Sequence, residues 1–316
     1  MTTRAGIEAS RTGGIDVRGT AAVVGNVCIW GATPVLLKAL TEHTDAWTAN
    51  GIRYPIAALL ILPFVIRAAR RGRVSCKILT RAIVPALLAF VGQILWAWSP
   101  YFLDASLIGF LVKSATVWAV LGAMVLFRDE RPLLRSRTFW VGIALCAGAV
   151  AAMAIDRGAF EVRATGEGIV VILACSLFFG LYAVSVRWFM GGLSPIISFG
   201  IVVQYVSVGT IVLAIAFGEP ASIPGLSAEA WLFLLVSALL GVGISHMLMY
   251  VALLRLGTAI TSSAQMVSPF ITYLVAFFFL GETLSASTSG ACLILVGGGF
   301  VLLWSQRNLR INRSGK

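Results

Sequence analysis

Residues 26–38 of the chain are NVCIWGATPVLLK, and residues 175–187, which lie 149 positions later, are CSLFFGLYAVSVR. Both stretches place an aromatic residue directly before a glycine, and both end in a cation. A second match lies further along each half, where an apolar segment ends in an acid, Glu130 or Glu282. The sequence therefore predicts two related halves.

The composition indicates a membrane protein. Hydrophobic residues make up 59% of the chain and charged residues 12%, and the mean hydropathy is +0.94. A soluble domain carries about 25% charged residues. We therefore predict an all-α membrane protein with several spans, surrounded by a lipid bilayer.

Ten segments are long and apolar enough to cross a bilayer as helices, which takes about 20 residues. They are numbered spans 1 to 10 in chain order: 19–37, 46–66, 82–103, 105–127, 138–155, 166–186, 195–217, 229–253, 258–280 and 286–305.

The positive charges test this count. With both termini in the cytoplasm, 19 of the 24 cations fall in inner segments and three in outer loops, as positive-inside topology requires. A net charge of +11 could also indicate nucleic-acid binding, but these cations lie in short loops between apolar segments, so no nucleic-acid partner is expected.

The halves meet in the polar segment 156–167, predicted to lie outside. Because each half crosses the membrane five times, the second copy is inverted relative to the first. The fold prediction is therefore ten transmembrane helices in two inverted five-helix repeats. Its parts are a disordered tail at 1–18, repeats at 19–157 and 158–306, and a basic tail at 307–316.

These features together resemble the drug/metabolite transporter superfamily, with each half similar to one EamA-type domain. The resemblance covers residues 19–306 and rests on the inverted halves, the Trp30-Gly31 step and the acids that close spans 4 and 9. It implies a central pathway lined mainly by spans 1, 3, 4, 6, 8 and 9. The aromatic content is similar to that of aromatic amino-acid exporters within the superfamily.

Lys113 is the sharpest candidate for substrate binding. It lies about 12 Å from the outer end of span 4 at 1.5 Å per residue. A charge at this depth costs at least about 2.5–3.5 kcal/mol, so it is expected to face the bundle interior or a water-filled cavity. It could bind a carboxylate or phosphate, or it could bond helix carbonyls. Gln265 is its predicted counterpart in span 9, at an offset of 152, and could bind the same ligand or join helices.

Two further polar residues lie within spans. Arg53 in span 2 could line the outer vestibule, but extension of its side chain to the outer interface is favoured. His246 in span 8 could bind substrate or titrate, although a hydrogen bond between helices is the commoner role of such a histidine.

Aromatic residues are concentrated in spans 3 and 4, with tyrosines in the second half. A wall of such rings would accept flat apolar groups and could hold an ammonium group by cation–π attraction. An interfacial aromatic belt is the alternative. The predicted binding residues are Trp98, Tyr101, Trp118, Tyr182 and Tyr250.

Small residues and prolines mark candidate joints for gating. Gly31 and Gly180 allow close helix approach, and Pro34 and Pro269 could bend spans 1 and 9. Packing without gating is the alternative for each.

No acid lies within a span, away from its ends, whereas ion-coupled carriers commonly place carboxylates there. We therefore favour facilitated diffusion without ion coupling. The five cysteines form no metal-binding spacing or disulfide framework, and no nucleotide-binding or hydrolase motif has a supporting context. No metal, cofactor or catalytic residue is expected.

The leading hypothesis is a carrier in the bacterial inner membrane that exports amino acids, with aromatic or large apolar side chains favoured, or related metabolites. A carrier of organic anions or phosphorylated metabolites, with Lys113 and Arg53 as the anion clamp, is the alternative. A lipid-modifying intramembrane enzyme is a weaker hypothesis, because it needs clustered His, Asp or Glu at membrane depth.

Overall fold

A computed structural model describes residues 15–103, 105–155, 166–280 and 286–305. Within these ranges the chain is almost entirely helical, which confirms the predicted all-α class. The basic tail at 307–316 falls outside the described residues, as do most of the tail at 1–18 and most of the linker at 156–167.

Helix starts follow the capping side chains. Asp45 accepts hydrogen bonds from the backbone N–H groups of Trp47 and Thr48, at 2.8 and 2.9 Å. A capping oxygen of this kind satisfies donors that have no partner inside the helix. The helix consequently begins at Ala46, as the hydropathy pattern predicted.

The described part of the first half contains six α-helices. They are α1 (Val17–Leu40), α2 (Ala46–Arg70), α3 (Cys76–Phe102), α4 (Ala105–Leu111), α5 (Ala115–Leu126) and α6 (Arg137–Ile155). The 3₁₀ turn Val112–Ser114 joins α4 to α5, and the 3₁₀ turn Arg131–Arg135 precedes α6.

In the second half, the residues that the structure describes form seven α-helices. They are α7 (Gly166–Met190), α8 (Pro195–Phe217), α9 (Ala228–Val236), α10 (Ser245–Leu256), α11 (Thr258–Ala264), α12 (Ser268–Leu280) and α13 (Ala286–Trp304). The π-helical segment Ser237–Ile244 joins α9 to α10, the 3₁₀ turn Gln265–Val267 joins α11 to α12, and the 3₁₀ turn Pro220–Gly225 precedes α9.

Seven helical stretches of the described chain are long and apolar enough to cross a membrane. They are Val17–Leu40, Ala46–Arg70, Cys76–Phe102, Gly166–Met190, Pro195–Phe217, Ala228–Leu256 and Thr258–Phe279. Three shorter apolar helices, Val112–Leu126, Arg137–Ala149 and Leu293–Trp304, occupy the predicted positions of spans 4, 5 and 10.

The packing of the helices repeats between the halves. Helix α3 packs on α7, and α10 packs correspondingly on α1. Helix α5 packs on α7 in the same way that α12 packs on α1. The equivalent pairs α2 with α8 and α6 with α13 also pack together. Exchanging the two halves therefore turns each of these packed helix pairs into another pair of the set, or leaves the pair unchanged.

The sequence predicted spans 4, 8 and 9 as unbroken helices, and the structure interrupts each of them. In span 4 the Ser114 hydroxyl donates a 2.8 Å hydrogen bond to the carbonyl of Leu111, three residues back, which suits the tighter 3₁₀ turn. In span 8 the interruption is a π-helical segment that contains Gly241 and Gly243. Hydropathy does not register such changes, because it averages over a window much longer than a three-residue turn.

These interruptions also adjust one predicted pairing. Helix α11 starts 153 positions after α4. The 3₁₀ turn that follows α11 likewise starts 153 positions after the 3₁₀ turn that follows α4. Gln265 therefore corresponds to Val112, the neighbour of Lys113, rather than to Lys113 itself.

The glycines of the two aromatic–Gly steps lie at close approaches between the halves. A Cβ atom on Gly31 would lie 2.5 Å from the Cβ of Ile271, and one on Gly180 would lie 2.6 Å from the Cβ of Trp118. Each aromatic–Gly step therefore packs against the interrupted helix of the opposite half. Glycine is required at both positions because no other residue lacks a Cβ.

Candidate functional site

A cavity of about 100 Å³ lies between the two halves. Helices α1, α3, α5, α7, α10 and α11 contribute to its wall, together with α2 and the interrupted segments. Its polar side chains are Thr33, Arg53, Gln93, Lys113, Thr116, Tyr182, His246, Thr261, Ser262, Gln265 and Ser268.

Lys113 lies in the wall of this cavity, on the 3₁₀ turn between α4 and α5. Its side chain is half-buried. Among the described residues it has no hydrogen bond and no ion pair. The ammonium group therefore has donors to offer to a solute that enters the cavity.

Arg53 lies in the same wall and is only 1% exposed. Its Nε donates to the Ser237 hydroxyl at 2.9 Å, and its Nη1 donates to the Asn50 side-chain oxygen at 3.1 Å. The favoured prediction, that this side chain reaches the outer interface, is wrong. The polar partner from the π-helical segment, 184 residues away, holds it inside.

The cavity is consequently electropositive. Two cationic side chains face it, and no carboxylate lines it within the described part of the chain. Opposite charges attract more strongly in such a low-dielectric cleft than in water. The arrangement favours a solute with an anionic group.

His246, one of the candidate substrate-binding residues, also lines the cavity. Its Nδ1 lies 2.9 Å from the carbonyl oxygen of Val242, and since a carbonyl only accepts, Nδ1 carries the hydrogen. The ring stacks on Phe199 at 5.5 Å and meets Trp30 edge-on at 5.2 Å. The ring orientation is thereby fixed, and in the neutral form of the ring the other nitrogen is an acceptor.

Trp30, Trp96, Phe179 and Tyr182 supply the aromatic part of the wall. Trp30 and Phe179 are the aromatic members of the two repeated aromatic–Gly steps. They were not predicted as binding residues, although the repeated stretches 26–38 and 175–187 contain both. Trp96 and Phe179 pack together with ring centroids 6.0 Å apart.

Three predicted aromatic residues lie outside this cavity. Trp98 packs on Trp47 at 5.2 Å, and the Tyr101 hydroxyl donates to the carbonyl of Thr44 at 2.7 Å, near one end of the bundle. Trp118 is 43% exposed on the outer surface. The structure does not bring these three residues to the cavity. Their role in binding stays a prediction.

Tyr250 lies one layer behind the wall. It is fully buried, and its hydroxyl is 3.1 Å from that of Tyr182, which lines the cavity. Tyr250 therefore supports Tyr182.

The predicted joints lie close to the cavity. Pro34 and Gly180 line it. Gly31 packs beside it against α12, and Pro269 is buried in the first turn of α12, directly after a 3₁₀ turn. Their role in gating stays a prediction.

One hydrogen bond joins the two interrupted helices across the cavity. The Thr116 hydroxyl in α5 donates to the carbonyl of Ser262 in α11 at 2.9 Å. The bond connects residues of different halves. A motion of one half relative to the other would therefore have to break it, unless α5 and α11 moved together.

The fold and this cavity define the class. The chain is a multi-pass, all-helical membrane protein whose two similar halves enclose a polar chamber. The model of the EamA-like transporter family matches residues 17–155 and again residues 166–304. The chain therefore belongs to the EamA-like transporter family, and the predicted resemblance is confirmed.

A crystal structure of another protein is similar in fold. It matches with a TM-score of 0.65 at 15% sequence identity, and the match covers 90% of this chain and 95% of that one. At this identity the likeness concerns the fold alone. No curated protein matches the sequence.

Proposed function

We propose that the protein exports amino acids, with large apolar or aromatic side chains favoured, across the bacterial inner membrane by alternating access. The proposal takes the ten predicted spans as two inverted five-helix halves with both termini in the cytoplasm. The observation that carries it is Lys113, a cation without a partner among the described residues, in the wall of a cavity between the halves.

The wall suits the parts of such a solute. Lys113 and Arg53 supply donors for the carboxylate, and charge-assisted hydrogen bonds of this type are the strong ones. Trp30, Trp96 and Phe179 supply apolar faces for the side chain. Alternating access then exposes the cavity to one side of the membrane at a time, as inverted halves permit.

We further propose that transport is facilitated diffusion without proton coupling. The support is the absence of acids from the interior of the predicted spans, where coupled carriers commonly place them.

A carrier of organic anions or phosphorylated metabolites is the second candidate. Its support is the buried position of Arg53, because a buried guanidinium in the same cavity wall as a second cation suits a multiply charged anion.

The test is movement of radiolabelled phenylalanine, tryptophan and glycine in proteoliposomes, with and without a pH gradient. We expect the aromatic amino acids to move down their own gradient at the same rate in both conditions. Movement of no amino acid would overturn the proposal. A strict requirement for the pH gradient would overturn the uncoupled mechanism, and movement of phosphorylated solutes alone would favour the second candidate.

A further inference from the structure

Asn26 in α1 has a fixed amide orientation. The residue is fully buried, and its Nδ2 donates a 2.9 Å hydrogen bond to the carbonyl oxygen of Ser245. Because a carbonyl can only accept, the nitrogen must be on that side. The Asn26 Oδ1 therefore points the other way, as an acceptor.

The Asn26 oxygen in turn fixes Gln265. Gln265 donates a hydrogen bond from its Nε2 to the Asn26 Oδ1. The Gln265 Oε1 is therefore an acceptor, and it has no partner among the described residues. This side chain is 9% exposed and lines the cavity. A buried acceptor without a partner loses the hydrogen bonds that water would give it, so a donor at this position is favoured.

A second unpaired oxygen lies one helical turn earlier. Thr261 lines the cavity and is 1% exposed, and its Oγ1 has no partner among the described residues. Residues four apart share one face of a helix. Thr261 and Gln265 therefore belong to one acceptor-bearing strip of the wall.

We propose that Gln265 and Thr261 bind the ammonium group of the substrate, and that Asn26 is the positioning residue that makes Gln265 an acceptor. The inference rests on the proposed function, because it assigns the part of an amino acid that Lys113 and Arg53 do not bind. The cations lie in the first half of the chain and the acceptors in the second. A zwitterion fits such a polarised wall, whereas a simple carboxylate leaves the acceptors unpaired.

The test compares phenylalanine with 3-phenylpropionate, which lacks the amino group, as competing solutes in proteoliposomes. The wild-type protein is expected to prefer phenylalanine. Gln265→Leu is expected to lower the ratio of the two transport rates about tenfold to a hundredfold, since 1.4 kcal/mol corresponds to a factor of ten. Gln265→Glu, whose protonated carboxyl group can donate to the Asn26 Oδ1 and keep an acceptor oxygen toward the cavity, is expected to retain the preference.

Asn26→Leu tests positioning. It leaves Gln265 in place but frees its amide to turn, so the rate ratio should fall while transport of 3-phenylpropionate persists. Gln204→Leu is the matched control, because this amide donates to the carbonyl of Ala58 at 2.9 Å and does not line the cavity. Its ratio should equal that of the wild type.

The outcomes separate the two proposals. Transport of neither compound by the wild type overturns the proposed function together with this assignment. Equal transport of both leaves a carboxylate carrier and overturns the ammonium site. If Gln265→Leu and Thr261→Val both keep the wild-type rate ratio, the residue assignment is overturned. If only Asn26→Leu keeps the wild-type rate ratio, the positioning role of Asn26 is overturned. Where a variant fails to fold, Gln265→Glu and Thr261→Val decide the assignment.

Discussion

Glu130, in the first half of the chain, accepts a 2.8 Å hydrogen bond from the backbone N–H of Thr258 in the second half. Its other oxygen accepts from the N–H of Ala259 at 2.6 Å, and Arg187 forms an ion pair with the same carboxylate. The carboxylate thus caps α11 and ties it to α7. Glu130 is only 1% exposed, so this contact between the halves is protected from water.

Glu130→Ala is expected to destabilise the protein by about 1–3 kcal/mol, because it leaves the buried N–H groups of Thr258 and Ala259 without an acceptor, while Arg187 keeps Asp129 as a partner. Thermal unfolding in detergent measures the change. Glu42→Ala, at an exposed acid near the end of α1, is the control and should shift the midpoint little. Equal midpoints for the two variants would show that the cap contributes nothing.

A double-mutant cycle with Arg187→Ala isolates the pair. The coupling energy is expected to exceed about 1 kcal/mol, since residues in one ion-pair network interact by about 0.5–3 kcal/mol. Additive effects of the two substitutions would contradict the ion pair.

Gly31→Ala should destabilise the protein by about 1–3 kcal/mol, because its Cβ would collide with Ile271 across the boundary between the halves. Gly148→Ala is the matched control in α6, where an added Cβ meets nothing within 4 Å. Removing a glycine from a helix interior usually stabilises by about 0.5–1 kcal/mol, so the two variants should shift the unfolding midpoint in opposite directions. A shift in the same direction would refute the close approach.

Trp30→Leu should slow the transport of phenylalanine about tenfold relative to that of valine, because the ring supplies part of the aromatic wall. Trp118→Leu is the control on the exposed surface and should leave this ratio unchanged. The reverse pattern would place the substrate beside Trp118 and contradict the central site.

Lys113→Met keeps the length of the apolar stem and removes the charge. Transport of carboxylate-bearing solutes should fall about tenfold or more, because a hydrogen bond to a charged group contributes about 1.5–3 kcal/mol. Lys77→Met, at an exposed position in α3, should have the wild-type rate. Rates in Lys113→Met equal to those of Lys77→Met would assign Lys113 a structural role.

The sequence predicts the helical architecture well, because this architecture depends on the composition of successive segments of the chain. The apolar spacing anticipated the helices, and the repeated aromatic–Gly steps anticipated the two family domains at 17–155 and 166–304. Lys113 was found from the cost of its charge at depth, which requires no knowledge of neighbours.

The sequence predicts the wall less well because a wall depends on neighbours far along the chain. Arg53 is held by Ser237, and nothing local indicates that partner. Trp98 and Tyr101 were predicted as binding residues, but they contact Trp47 and Thr44 instead of the cavity, and nothing local in the sequence indicates those partners. Trp96, only two residues before Trp98, lies in the wall.

The division of charge across the cavity has an evolutionary consequence. A symmetric dimer of the first half would oppose two lysines, and a symmetric dimer of the second half would oppose two amides. Neither dimer would place the lysine opposite the amide. On the proposed assignment, the pairing of Lys113 with Gln265 therefore requires two copies of the repeat that differ at single positions, which gene duplication followed by divergence supplies.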